Sequence, residues 1–323
     1  MLGATVSLTG RPVAADQIYV ANQSANSITV YDRLADGNAA PIRTISGGIS
    51  GPVGLVLDQA HGELIVGNYS QGLTVLDSTT FLGKRSVVLT GNFEGLTLDP
   101  RHDTILVADS LFGTFEAYDR QTLSLVGALG GFTAITNVVV DAINLETYVA
   151  DGGRNTIFIF CERSGSGSPC RVINGPATGL AFPTGLFVDL VNDEIVVGNA
   201  SPGVTVYART ANGDAAPKRV LSGTSTGLSV KTPLQVLGVI VDATNDELIT
   251  SNSGNGSIRA FPRLAFGNAT PIRAITEVPD PRYLLLVAGP GGPTAVPVLS
   301  PNASVALALG LVVTAVLLLR RNT

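Results

Sequence analysis

The feature that most constrains this chain is a unit of roughly 40–50 residues that recurs along its length, the period of a four-stranded propeller blade. The stretch "GPVGLVLDQAHGELIVGNYSQGLTVLD" at 51–77 returns as "NFEGLTLDPRHDTILVADSLFGTFEAYD" at 92–119. Three further copies follow: "TNVVVDAINLETYVADGGRNTIFIF", "FPTGLFVDLVNDEIVVGNASPGVTVYA" and "LGVIVDATNDELITSNSGNGSIRAF". A partial copy at the start, "QIYVANQSANSITVYD", lacks the first strand of the unit. Asn22, Asn68, Asp109, Asp151, Asn199 and Asn252 mark the same point in each copy, 41 to 53 residues apart.

Each unit divides into four short apolar runs separated by turn residues, with no helical period. That pattern reads as all-β. The first run ends in Asp (Asp58, Asp99, Asp141, Asp189, Asp242) and the third alternates with period two, as in "SITVYD". One four-stranded sheet cannot cover both of its apolar faces, whereas radial stacking does so and leaves only short edges. The orphan strand "PRYLLLV" (281–287) after the last copy supplies what the first copy lacks. The expected fold is therefore a six-bladed β-propeller over 16–288, closed by pairing of its N- and C-terminal strands.

Hydrophobic residues make up 45 % of the 323 residues and charged residues 14 %. This is the composition of a chain that buries a core. The net charge of −5 and the absence of basic clusters exclude nucleic acid as a main partner.

The motifs "PVGLVLD", "LIVGN", "ILVADS", "YVADGGRNTIFIF" and "IYVANQSANSITVYD" resemble the NHL-repeat family of β-propellers over residues 17–287. The resemblance implies the fold and little about function, because that architecture carries lyases, lactonases and binding modules alike. Among its enzymatic relatives, virginiamycin-B-lyase-like propellers imply a catalytic histidine. The two histidines here, His61 and His102, stand where other copies have Asn144, Asn192 and Asn245, and so read as turn residues. Gluconolactonase-like propellers imply a divalent cation at the pore. The position five before the strand-ending Asp gives a candidate pore ring of Val53, Glu94, Thr136, Thr184 and Leu237, with Arg282 in the closing strand. One carboxylate in six is a poor cage for a hard cation. Glu94, with Asn137 beside the ring, is the ligand pair of that alternative, and an ion pair between Glu94 and Arg282 across the mouth is the other expectation. The recurring Asp and Asn residues read as turn formers that bond their own backbone.

The short turns and strand starts at one end of the blades form a ligand face, with Tyr69, Phe93, Glu94, Phe112, Asn137, Arg154 and Arg282 as candidates. Phe132 stands there too. Such a face suits a protein or glycan partner. The reading is a binding module without a catalytic residue or cofactor; the alternatives are a divalent-cation-dependent lactonase-like hydrolase and a structural envelope protein.

The ends of the chain speak to location. Val13-Ala14-Ala15 has the small-residue pattern of a signal-peptidase site, so 1–15 reads as a leader or signal-peptide remnant. Residues 289–302 read as a stalk and 303–321 as a transmembrane helix with a basic end: a 17-residue uncharged run, 303–319, precedes Arg320 and Arg321. "VPVLS" (Val296, Pro297, Val298, Leu299, Ser300) before that run resembles the IPTL-CTERM or PEP-CTERM class of bacterial sorting signals. That resemblance implies export, membrane or cell-surface anchoring with the propeller on the extracytoplasmic side, and an exosortase-like processing enzyme as partner. Cys161 and Cys170 flank "ERSGSGSP" and either close a disulfide across a hairpin or remain as free thiols.

Overall fold

A computed structural model describes residues 16–162, 167–201, 203–228 and 238–289. The leader, Leu237 and the segment from 290 onward lie outside the described residues, and with them the expected span and the sorting residues Val296 to Ser300, Arg320 and Arg321. Among the described residues no helix is long and apolar enough to cross a membrane.

The described residues form twenty-four strands in six four-stranded antiparallel sheets. Blade 1 pairs the last strand, Pro281–Val287, with the first, Gln17–Asn22, and continues through Ser27–Asp32 to Arg43–Ile45. Blades 2 to 6 follow as 52–87, 93–130, 135–173, 183–221 and 239–275. The expected closure is thus present: Ile18 stands opposite Leu286 and Val20 opposite Leu284. Both ends of the repeat array are held by one sheet, which leaves no blade open at the seam.

The second strand of each blade is apolar on both faces because both faces are buried. In blade 1, Ile18 and Val20 pack toward blade 6 while Tyr19 and Ala21 pack toward blade 2. In blade 2, Leu64 and Val66 face blade 1 and Ile65 faces blade 3. The hydrophobic core therefore takes the form of separate clusters, one at each of the six blade interfaces. Each fully buried aliphatic side chain contributes about 1.5–3 kcal/mol to holding neighbours together.

Polar clasps reinforce several of these interfaces. Glu194 of blade 5 accepts two hydrogen bonds from Arg219 of its own outer strand and one from Arg263 of blade 6. The pattern repeats with Glu63, Arg85 and Arg120; with Glu146, Arg171 and Arg209; and with Glu247, Arg273 and Arg33. Between blades 3 and 4 the polarity is reversed, since Arg101 of blade 3 pairs with Glu162 of blade 4. The outer strands of blades 4, 5 and 6 are further covered by a loop of the following blade through Gly213, Gly267 and Gly37. This blunts edges that would otherwise template pairing with another chain. Cys161 and Cys170 are joined by a disulfide across the hairpin that leads to the outer strand of blade 4, with Cα atoms 5.7 Å apart.

Candidate functional site

In every fully described innermost strand the ladder slips by one residue near its start. Pro52 pairs with Asn68 and Gly54 with Gly67, so Val53 is skipped. Glu94, Thr136, Thr184 and Arg282 are skipped in the same way. Each is the extra residue of a β-bulge, which re-aims a side chain away from the sheet. The pore ring counted from the sequence is thus a ring of bulges. These five residues line a cavity of about 470 Å³ at this end of the pore, together with Gln23, Tyr69, Ser110, Asn137, Phe182 and Tyr283 among others.

Glu94 is the one carboxylate among the described lining residues. Its Oε1 accepts a hydrogen bond from Ser110 Oγ at 3.1 Å. Burial pushes its pKa up to about 7; the Ser110 hydrogen bond and the Arg282 charge only partly offset this, and Asp109 adds to it. Near neutral pH the group is therefore divided between a carboxylate and a neutral acid that donates a hydrogen bond. Burial and then the Glu94 charge likewise raise the Tyr69 phenol, so it remains a donor.

Arg282 does not form the expected ion pair with Glu94. Its Nε lies 3.1 Å from Asp280 Oδ1, two residues back, and it acts on Glu94 only as a charge through space. The aspartate in the turn before the closing strand is the nearer partner, and the bulge holds Arg282 beside it. Asn137 is 2 % exposed, and its Oδ1 has no hydrogen-bond partner among the described residues. It stands where blades 2, 3 and 5 have Gly54, Gly95 and Gly185. A Cβ on Gly95 would come within 2.9 Å of that oxygen, so the neighbouring glycine makes room for the carboxamide.

The cavity brings together Tyr69, Glu94, Asn137 and Arg282 from the sequence candidates, and not the other three. Phe93 is 1 % exposed and packs with Val53, Ile65, Leu73 and Val75 between blades 2 and 3. It precedes the bulge, so its side chain keeps the regular sheet direction while Glu94 takes the pore. Phe112 is 57 % exposed in the turn after the second strand of blade 3 and lies apart from the cavity lining. Arg154 sits in a short turn, Gly152–Arg154, and bonds the Gly131 carbonyl and Asp151. Phe132 belongs to an aromatic cluster with Phe115, Phe158 and Phe160. Gln23, Ser110 and Phe182 escaped the sequence reading; their shared signal is that they follow a strand-ending Asn or Asp or precede an innermost strand.

The repeated Asp and Asn residues hold loops. Asp109 Oδ1 accepts from the Asn92 and Leu111 amides, Asp151 from Thr133 and Ala134, and Asn199 from Ala181. At the far end of the innermost strands Asp141, Asp189 and Asp242 take the side-chain amides of Asn144, Asn192 and Asn245 at 2.6–2.7 Å. His61 Nδ1 and His102 Nδ1 make the same contact with Asp58 and Asp99, at 2.7 Å. Both imidazoles stand in turns at the opposite end of the strand from Glu94, about 16 Å along it at the usual strand rise.

The donor set at the mouth does not fit a divalent cation. One half-neutral carboxyl, one carboxamide with an unpartnered oxygen and three hydroxyls already donating to protein oxygens (Ser110, Thr136 and Thr184) stand beside apolar Val53 and cationic Arg282. Asp99, His102 and Glu162 also converge, but Arg101 already pairs with both carboxylates, with Asp99 at 3.0 Å and with Glu162 at 2.5 Å. No protein-family model matches the chain, and no curated protein matches it.

Proposed function

We propose that this chain is an exported propeller, held at a membrane or cell surface by its C-terminal segment, that binds a protein or glycan partner through the face bearing the pore mouth. The observation that carries the binding role is the cavity of about 470 Å³, where Tyr69, Arg282 and Glu94 offer donors beside the unpartnered Asn137 oxygen. A buried polar atom without a partner costs free energy, which a ligand donor recovers on binding. The uncharged run 303–319, Arg320 and Arg321, and the resemblance of "VPVLS" to a sorting signal support export, anchoring and handling by an exosortase-like enzyme. The Cys161–Cys170 disulfide suits an oxidising compartment.

Glycan arrays and a pulldown of surface proteins, run with the full chain and with Tyr69→Ala and Arg282→Ala, test the mouth. Retention of a partner by the wild type and its loss in both variants is expected. Equal retention by all three places binding elsewhere, and empty results in both formats favour the structural envelope role. Fractionation of the full chain against one ending at Val296 tests anchoring, and equal membrane retention of the two refutes it.

A further inference from the structure

Innermost strands run away from the pore mouth, so the closing strand Pro281–Val287 delivers the chain to the opposite end of the propeller. The first strand, Gln17–Asn22, starts at that same end. The two ends of the described chain meet there, where the Gly289 amide donates to Asp16 Oδ1 at 2.9 Å. Whatever residues 303–319 do, the propeller is tied to them through this face. The intervening residues 290–302 span at most about 45 Å fully extended.

The same end carries most of the exposed large apolar side chains among the described residues. Ile143 and Val191 project from the loops after innermost strands, and Leu34, Leu82 and Leu264 from the turns after third strands. Val191 is 77 % exposed and Leu82 69 %. At the mouth end only Val88, Leu111 and Phe112 are comparable. The charged groups between these loops are largely paired with each other: Asp103 with Arg120, Asp193 with Arg209, and Asp246 with Arg263. A face that combines projecting apolar side chains with self-neutralised charge matches the interfacial zone of an uncharged lipid surface better than an anionic one.

We infer that the face opposite the pore mouth rests on a zwitterionic bilayer, leaving the mouth turned away from the membrane. The inference builds on the anchored reading above. Each apolar contact is weak alone, and the short tether supplies a high effective concentration of lipid surface. The mouth is then presented outward to partners, and the loops that carry Val191 and Leu82 work as feet.

The chain has no tryptophan, so a single introduced one reports its own surroundings. Full-length Leu82→Trp, Val191→Trp and Phe112→Trp proteins are reconstituted into phosphatidylcholine vesicles with and without brominated acyl chains. Emission from Leu82→Trp and Val191→Trp is expected to fall about two-fold in the brominated vesicles, as for side chains at the interfacial boundary, with Phe112→Trp unchanged. Flotation of the same vesicles separates the two levels of the reading. Protein that fails to float refutes anchoring, and this inference with it. Protein that floats with all three emissions alike, or with quenching only at Phe112→Trp, overturns the orientation and leaves anchoring intact. Concentration-dependent protection of Val191→Trp in detergent, without quenching in vesicles, overturns the lipid surface in favour of a second copy.

Discussion

Replacing Glu94 by Gln should stabilise the protein at high pH and leave it unchanged at low pH. The carboxyl has an ordinary pKa of 4.5 and one of about 7 in the folded chain, raised chiefly by burial. A raised folded-state value means that the native state holds its proton after the unfolded chain has released it. Stability from this group is fully present below about pH 4.5 and is lost as pH rises through 7. The difference of about 2.5 units corresponds to about 3 kcal/mol at pH 8. Glutamine keeps an oxygen for the Ser110 hydroxyl and never ionises, so the variant escapes the loss. Other titrating groups are common to both proteins and cancel in the comparison.

The measurement is urea denaturation followed by far-ultraviolet circular dichroism at pH 4, 5.5 and 8. With a slope of about 3 kcal/mol per molar urea, the midpoint of Glu94→Gln should lie about 1 M above wild type at pH 8 and coincide with it at pH 4. A difference independent of pH, or a less stable variant at pH 8, refutes the assignment of Glu94 as a buried, half-neutral acid. Under the proposed binding role, a mouth whose one carboxyl among the described lining residues is partly neutral near pH 7 favours ligands that accept a hydrogen bond from it over cations.

The remaining expectations probe the scaffold and the donor set. His61→Asn and His102→Asn should each change the unfolding free energy measured by urea denaturation by less than about 0.5 kcal/mol, because Asn144, Asn192 and Asn245 already fill the equivalent contact; a loss above about 1 kcal/mol at either site refutes the turn assignment. Glu194→Ala strands the guanidinium groups of Arg219 and Arg263 and should cost about 3–5 kcal/mol at pH 7. Burial opposes ionisation of Glu194, yet the hydrogen bonds from Arg219 and Lys218 prevail and hold it at about 2, so the penalty should shrink as pH falls from 4.5 toward 2 and a constant penalty counts against the clasp. Elemental analysis of the purified protein should find no stoichiometric divalent ion, and one that disappears in Glu94→Gln refutes the reading of the donor set.

The blade count and the closure were legible because repetition averages out local ambiguity. One apolar run such as "PRYLLLV" fits a strand or a buried helix, but its place after five complete copies and one incomplete copy leaves it a single partner. The turn role of His61 and His102 was legible for the same reason, since three other copies carry Asn at that point. Departures from the repeat were harder. Phe93 and Glu94 are adjacent, and because both faces of a blade are packed a period-two reading buries both; only the bulge at Glu94, between Phe93 and Gly95, turns that side chain to the pore. The preference of Arg282 for Asp280 was hidden because sequence counting aligned ring positions across blades and passed over the turn just before the strand. The inter-blade clasps require the register of neighbouring sheets, which no single unit contains.

The repeated bulge explains how a fixed scaffold leaves the mouth open to change. A residue within the regular ladder must satisfy a cross-strand partner and a packed blade face together, and Ile65 or Val107 shows the result in full burial. The bulged residue is released from the side-chain alternation, so Val53, Glu94, Thr136, Thr184 and Arg282 differ in size, charge and polarity without disturbing the sheets. Where two blades meet at the mouth, the third residue also matters: glycine in blades 2, 3 and 5 gives way to Asn137 in blade 4, accommodated by Gly95 next door. On the proposed binding role, the variable part of this mouth is therefore the five described bulges and one carboxamide, set beside Tyr69 and Ser110. Exchanging Glu94 or Arg282 should alter what is bound while the blades, fixed by six separate interface cores, remain as they are.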